Sequence, residues 1–149
     1  MNYLSLDPGT RCGFASLCAG RIESGVQTFP LGRGDSPGMR FIRFNRWLAE
    51  MCDTLKPDLI IWERPHLRGG YATDLLVGFT TRVQEACAAR GIECEAVHSA
   101  TLKKSATGSG RADKAAMIRE ASRFAGRRIE SDDEADALML LAMAMKENG

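Results

Sequence analysis

The stretch Leu4-Ser5-Leu6-Asp7-Pro8-Gly9-Thr10-Arg11-Cys12-Gly13-Phe14-Ala15 reads as a strand, a carboxylate, a tight turn and a returning strand. Tyr3, Leu4 and Leu6 suit a short core strand. Asp7 closes that strand. Pro8 fixes φ and Gly9 is free to turn the chain back. A carboxylate at the end of a core strand has two readings. It caps the turn by holding the Gly9 or Thr10 amide, or it serves a hard metal ion or a phosphate. The remainder of the chain has to decide between them.

The strands continue as a meander, with strand one over 3–7, strand two over 12–18 and strand three over 20–29, turning at Ala19-Gly20. Residues 30–38 are a loop by composition. From 39 to 55, Phe41, Phe44, Leu48, Met51 and Leu55 recur at helical spacing, and Lys56-Pro57 stops the helix. Asp58-Leu59-Ile60-Ile61-Trp62 is a buried-strand run with Glu63 at its end. Glu63 therefore repeats the position of Asp7. It either pairs with Arg64 or Arg68, or joins Asp7 in the crevice at the ends of parallel strands. A helix is expected over 73–90 with Gly91 as its stop, and a parallel strand over 92–97.

Next comes a short turn at 100–104 and a small-residue, glycine-rich segment carrying Lys103, Lys104, Arg111 and Lys114. Such a segment lets amides and cations approach phosphates, although its spacing is not that of a P-loop. A helix over 113–125 follows. Ser131-Asp132-Asp133-Glu134 fits a capping box opening a last helix that is apolar nearly all round and so should be buried. Acids in its first turn suit the helix dipole. Asp136 lies further in, on the face of Asp133. That pair repels itself unless a cation sits between, which favours metal ligation. Asp7, Glu63, Asp133 and Asp136 form an all-oxygen set, the chemistry of Mg²⁺ or Mn²⁺.

The 149 residues suit one domain, with 44% hydrophobic and 26% charged residues, and no apolar run spans a membrane or forms a secretory signal. Net charge is +1, from 20 basic and 19 acidic residues that are unevenly spread. That excludes a uniformly basic protein but allows a basic surface around an acidic centre, as a nuclease requires. Cys12, Cys18, Cys52, Cys87 and Cys94 make an odd number without C-x-x-C spacing, so reduced thiols in a cytosolic protein are expected. His66 and His98 stand in no zinc-ligand spacing.

Four collinear motifs carry a resemblance: Leu4-Ser5-Leu6-Asp7-Pro8-Gly9-Thr10, Glu63 at its strand end, Lys103-x4-Gly108-x-Gly110-x3-Lys114, and Asp133-Glu134-Ala135-Asp136-Ala137-Leu138. Together they resemble the RuvC-type Holliday-junction resolvases of the retroviral-integrase/RNase H superfamily. The resemblance implies an α/β, RNase H-like fold: a five-stranded mixed sheet, antiparallel meander then parallel strands, flanked by helices. It implies a single nuclease domain over 1–149, a homodimer, a cytoplasmic setting in a bacterium or a phage-infected host, and cleavage of four-way and other branched DNA with two Mg²⁺ or Mn²⁺ ions per site. It further implies Asp7, Glu63, Asp133 and Asp136 as metal ligands and Lys114 as a catalytic cation. Lys103, Lys104, Arg111, Lys114, Arg64 and Arg68 are the expected DNA contacts. Where cellular members often carry junction-wedging aromatics, this chain has Arg64-Pro65-His66-Leu67, leaving His66 or Tyr71 to stack on a base. A compact phage-encoded member fits that departure. Two other classes share part of the pattern: an RNase H-like nuclease for structured RNA, and an ATP-binding domain of the actin and heat-shock ATPase superfamily.

Overall fold

In Tyr3–Asp7, the first strand (β1), alternate side chains leave opposite faces of the sheet, and the two faces receive different helices. The computed structural model describes residues 1–65 and 69–148. Arg68 and His66, expected as a DNA contact and a stacking residue, lie outside the described residues.

β2 (Arg11–Cys18) returns antiparallel beside β1, and β3 (Arg21–Thr28) follows after a turn at Ala19 and Gly20, both at positive φ. Helix α1 (Met39–Leu55) ends on Lys56 in the left-handed region, ahead of Pro57. β4 (Leu59–Glu63) then pairs in parallel with β1. Helix α2 (Gly70–Arg90) stops at left-handed Gly91 and leads to β5 (Glu93–Val97), parallel to β4. Helices α3 (Ser99–Thr107), α4 (Lys114–Ala125) and α5 (Asp132–Asn148) complete the chain. The sheet order is β3-β2-β1-β4-β5, the five-stranded mixed sheet that the family resemblance implied.

Leu4, Leu6, Ile60 and Trp62 pack with Phe44, Leu48, Phe79 and Val83 of α1 and α2. Tyr3, Leu59 and Ile61 leave the other face and pack with Leu102, Met117 and the buried side of α5. Each fully buried Leu or Ile contributes about 2 kcal/mol of transfer free energy, and both layers contain several of them. The last helix is buried at Ala135, Ala137, Leu138, Met139, Leu140, Leu141, Met143 and Ala144, as its apolar sequence required.

The structure corrects one element. Residues 99–107 form a helix rather than a short turn, so Lys103 and Lys104 stand on α3 and only 108–113 remain a loop. Gly108 closes α3 in the left-handed region, with its N–H donating to the Lys104 carbonyl. Asp113 caps α4 by accepting from the Ala116 N–H at 2.8 Å.

Candidate active site

Strand parity puts Asp7 and Glu63 together. Leu6 pairs with Trp62 in the parallel β1–β4 ladder, so Asp7 and Glu63 are the next residues of adjacent strands. Both share the parity of Ser5 and Ile61, whose face is covered by α5. The first turns of α5 arrive at that place. Ser131 Oγ accepts from the Glu134 N–H at 3.3 Å, which is one half of the expected capping box. The reciprocal half is absent, because the Glu134 carboxylate turns instead to Ser24 and Arg127, at 2.7 Å each.

Asp7, Glu63 and Asp136 each offer a carboxylate oxygen, and these oxygens lie within 4.8 Å of one another. Asp133 is the fourth member but stands to one side. Its Oδ2 accepts from Arg11 Nε at 3.3 Å, and it lies close enough to Asp7 to favour a protonated Asp7 carboxyl. Among the described residues Asp7 accepts no hydrogen bond from the Gly9 or Thr10 amide, so the turn-cap reading of Asp7 is set aside. Burial, then the charges of Glu63, Asp136 and Asp133, hold the Asp7 carboxyl well above its ordinary value. Burial, then Glu63, Asp132 and Asp133, push Asp136 up to about 7, against the lowering effect of Lys103. A cluster that resists ionising in this way is one that a divalent cation would relieve. Its all-oxygen donor set suits a hard ion.

The cations are less uniform. Lys103 of α3 faces Asp136 closely enough to oppose its upward shift. Lys114 Nζ lies 3.1 Å from Asp132 Oδ2, and that contact, more than the charges of Asp133 and Asp136, raises its pKa. Arg64 is exposed, and with Asp7, Pro8 and Glu63 it lines a recess of about 300 Å³ closed by Ala72, Thr73 and Leu76 of α2. Lys104 and Arg111 are exposed on α3 and in the loop after it, and no contact among the described residues ties them to the carboxylates. Tyr71, at the start of α2, is exposed.

Sequence reasoning missed three features. Arg11 pairs with Asp133, Asp132 holds Lys114, and the buried Ser5 hydroxyl lies 2.6 Å from the Ala137 carbonyl, tying β1 to α5. In the acidic run 132–136 only a helical projection, once the start of the helix is known, separates the acids by direction. The buried Cys12 thiol is pushed up by burial and by Asp7 and Asp133, so it stays protonated and is no nucleophile.

No family model matches the chain. It is 32% identical to the crossover junction endodeoxyribonuclease RuvC of Corynebacterium efficiens, over 97% of this chain and 67% of that one. The RuvC of Corynebacterium diphtheriae is 30% identical over 95% of this chain and 90% of its own. The chain belongs to the RuvC family of crossover junction endodeoxyribonucleases. Divalent-metal nuclease chemistry is the family's, and the acidic cluster of this member fits it.

The RuvC fold is shared over almost the full length. Thermus thermophilus RuvC bound to a Holliday-junction substrate superposes with a TM-score of 0.82 at 18% identity, covering 99% of this chain and 96% of that one. The yeast mitochondrial Holliday junction resolvase Ydc2 gives 0.66 at 14% identity, covering 97% and 77%. Neither the RNA-nuclease nor the ATP-binding reading is favoured by these relatives.

Proposed function

We propose that this RuvC-family chain is a divalent-metal-dependent endodeoxyribonuclease that resolves four-way DNA junctions as a homodimer, each protomer a single nuclease domain over 1–149. The observation that carries the reading is the meeting of the Asp7, Glu63 and Asp136 carboxylate oxygens within 4.8 Å, at strand ends in a chain of this family. Branched DNA other than the four-way junction belongs to the same substrate class.

Asp7, Glu63, Asp133 and Asp136 are assigned as holding Mg²⁺ or Mn²⁺, two ions per site. Bound there, the ions supply Lewis-acid activation of water and of the scissile phosphate for in-line hydrolysis. The chain's own residues do the rest. Asp7 and Glu63 are fixed by the sheet and Asp136 by a buried helix, so the ligand set is held before substrate arrives. Lys103 and Arg64 flank the carboxylates and take the phosphates on either side of the scissile bond, with Lys104 and Arg111 further along the DNA. Lys114 stands ready to leave Asp132 for the charge that develops on the phosphate. Hydrolysis leaves a 5′-phosphate and a 3′-hydroxyl, and two-fold symmetry places paired cuts on opposite strands.

No helix among the described residues is long and apolar enough to cross a membrane. We assign the protein to the cytosol, where its DNA substrate is found.

Asp7→Asn is expected to bind a four-way junction with nearly unchanged affinity and to lose cleavage. Retained Mg²⁺-dependent cutting by that variant would overturn the assignment. Cleavage of a four-way junction, a flap, a linear duplex and a structured RNA, measured side by side, fixes the substrate class.

A further inference from the structure

Glu134 sits between two assigned ligands in sequence yet points away from Asp136. A helix turns about 100° per residue, so Glu134 projects roughly opposite to Asp136. Its side chain is only 13% exposed. A glutamate whose sole task was to complement the helix dipole would have no need of burial.

Its Oε2 accepts from Ser24 Oγ at 2.7 Å and from Arg127 Nη2 at 2.7 Å, while the same Arg127 nitrogen donates to Ser24 Oγ at 2.7 Å. The three groups form a closed triangle. Ser24 belongs to β3 and pairs with Ala15 of β2, and Arg127 lies in the connection between α4 and α5. The triangle therefore ties the first turn of α5 to the sheet and to its own preceding loop. Because the anchor lies on the side away from Asp136, it fixes the rotation of the helix about its axis. That rotation decides where the Asp133 and Asp136 oxygens fall relative to Asp7 and Glu63.

We infer that Glu134, clamped by Ser24 and Arg127, is a positioning residue that sets the rotation of α5 and so presents Asp133 and Asp136 to the metal. The inference rests on the reading of Asp133 and Asp136 as ligands.

The test is Mn²⁺ binding by calorimetry in the absence of DNA, run with junction cleavage and with junction affinity in EDTA. Glu134→Ala is expected to weaken Mn²⁺ binding about tenfold and to lower kcat by a similar factor, as loss of a ligand-orienting partner does. Junction affinity in EDTA stays at the wild-type value. Glu134→Gln keeps an acceptor oxygen for Ser24 and Arg127 and recovers most of both losses. If Glu134→Ala fails to fold, Ser24→Ala removes one corner of the triangle, and a smaller loss of Mn²⁺ affinity is expected of it. Asp136→Asn is measured alongside. If Asp136→Asn binds Mn²⁺ and cleaves normally, the metal-centre reading falls. If Asp136→Asn is inactive while Glu134→Ala, or Ser24→Ala in its place, matches the wild type in Mn²⁺ affinity and kcat, the clamp alone is overturned.

Discussion

The Asp133 carbonyl occupies the space that a side chain at Gly13 would need. A Cβ built on Gly13 overlaps the Asp133 carbonyl oxygen and carbon and comes within 3.0 Å of the Glu134 nitrogen. Gly13 is also the β2 residue directly opposite Asp7 in the antiparallel ladder. One missing side chain thus lets the start of α5 lie against the strand pair that carries Asp7. It brings Asp133 within hydrogen-bond reach of Asp7.

Gly13→Ala should therefore act on catalysis more than its size suggests. The clash is with backbone, which cannot swing aside as a flexible side chain would, so α5 has to move. Overpacking of this kind costs about 1–3 kcal/mol. The larger consequence is displacement of Asp133 and Asp136 from Asp7 and Glu63. Cleavage is expected to fall by about a hundredfold, since small misplacements of reacting groups have effects of that order. Thermal melting and a single-turnover junction assay check both halves. A folded Gly13→Ala variant with wild-type cleavage would show that the close approach has no part in building the site.

A second expectation concerns pH in the absence of metal. Asp136 is pushed from its ordinary value of 3.8 up to about 7, and Asp7 is raised too. Between those pH values the folded state holds protons that the unfolded state has released. The stability due to these groups is complete below about pH 4 and declines as pH rises through about 7. A divalent ion that binds the ionised cluster should reverse this, so Mn²⁺ should raise the melting temperature more at pH 8 than at pH 5. Asp35, held below its ordinary value by Arg43, loses its contribution only at lower pH and does not confuse this window. Melts of the wild type and of Asp136→Asn, each in EDTA and in Mn²⁺, give the comparison. Equal pH slopes in EDTA for the two proteins would contradict the account.

These cases show where the sequence was legible. Asp7 and Glu63 each end an apolar run, and strand parity is a period of two, so their shared face follows from their numbers. The pairing of Asp133 with Asp136 follows from helical spacing in the same way. What stayed hidden depends on how one element docks on another. Gly13 looks like any strand glycine until α5 is laid against it. In Asp132-Asp133-Glu134 nothing local tells which acid takes Lys114, which faces Asp7 and which turns back to β3. The helix over 99–107 was missed because Ser99, Thr101, Ser105 and Thr107 have weak helix propensity, and the packing of buried Leu102 outweighs it.

Lys114 gives the last test, because it separates the acids assigned to the metal from Asp132, which is not. Its ammonium rests on Asp132 at 3.1 Å, and its side chain is 82% exposed. A surface pair of this kind contributes little to stability, so Lys114→Met should melt close to the wild type. If Lys114 meets charge developing on the phosphate, the same variant should lose about a hundredfold in kcat, the scale seen when one stabilising donor is removed from an active site. Junction affinity should change little, since many cations share the backbone contacts. Asp132→Asn removes the partner of Lys114 without touching Asp7, Glu63, Asp133 or Asp136. It should keep both kcat and Mn²⁺ affinity within a few-fold of the wild type, since Asp132 acts on Asp136 only through its charge. A loss in Asp132→Asn as deep as that in Asp136→Asn would make Asp132 a ligand, and Lys114 its neutralising counter-ion rather than a group acting on the substrate.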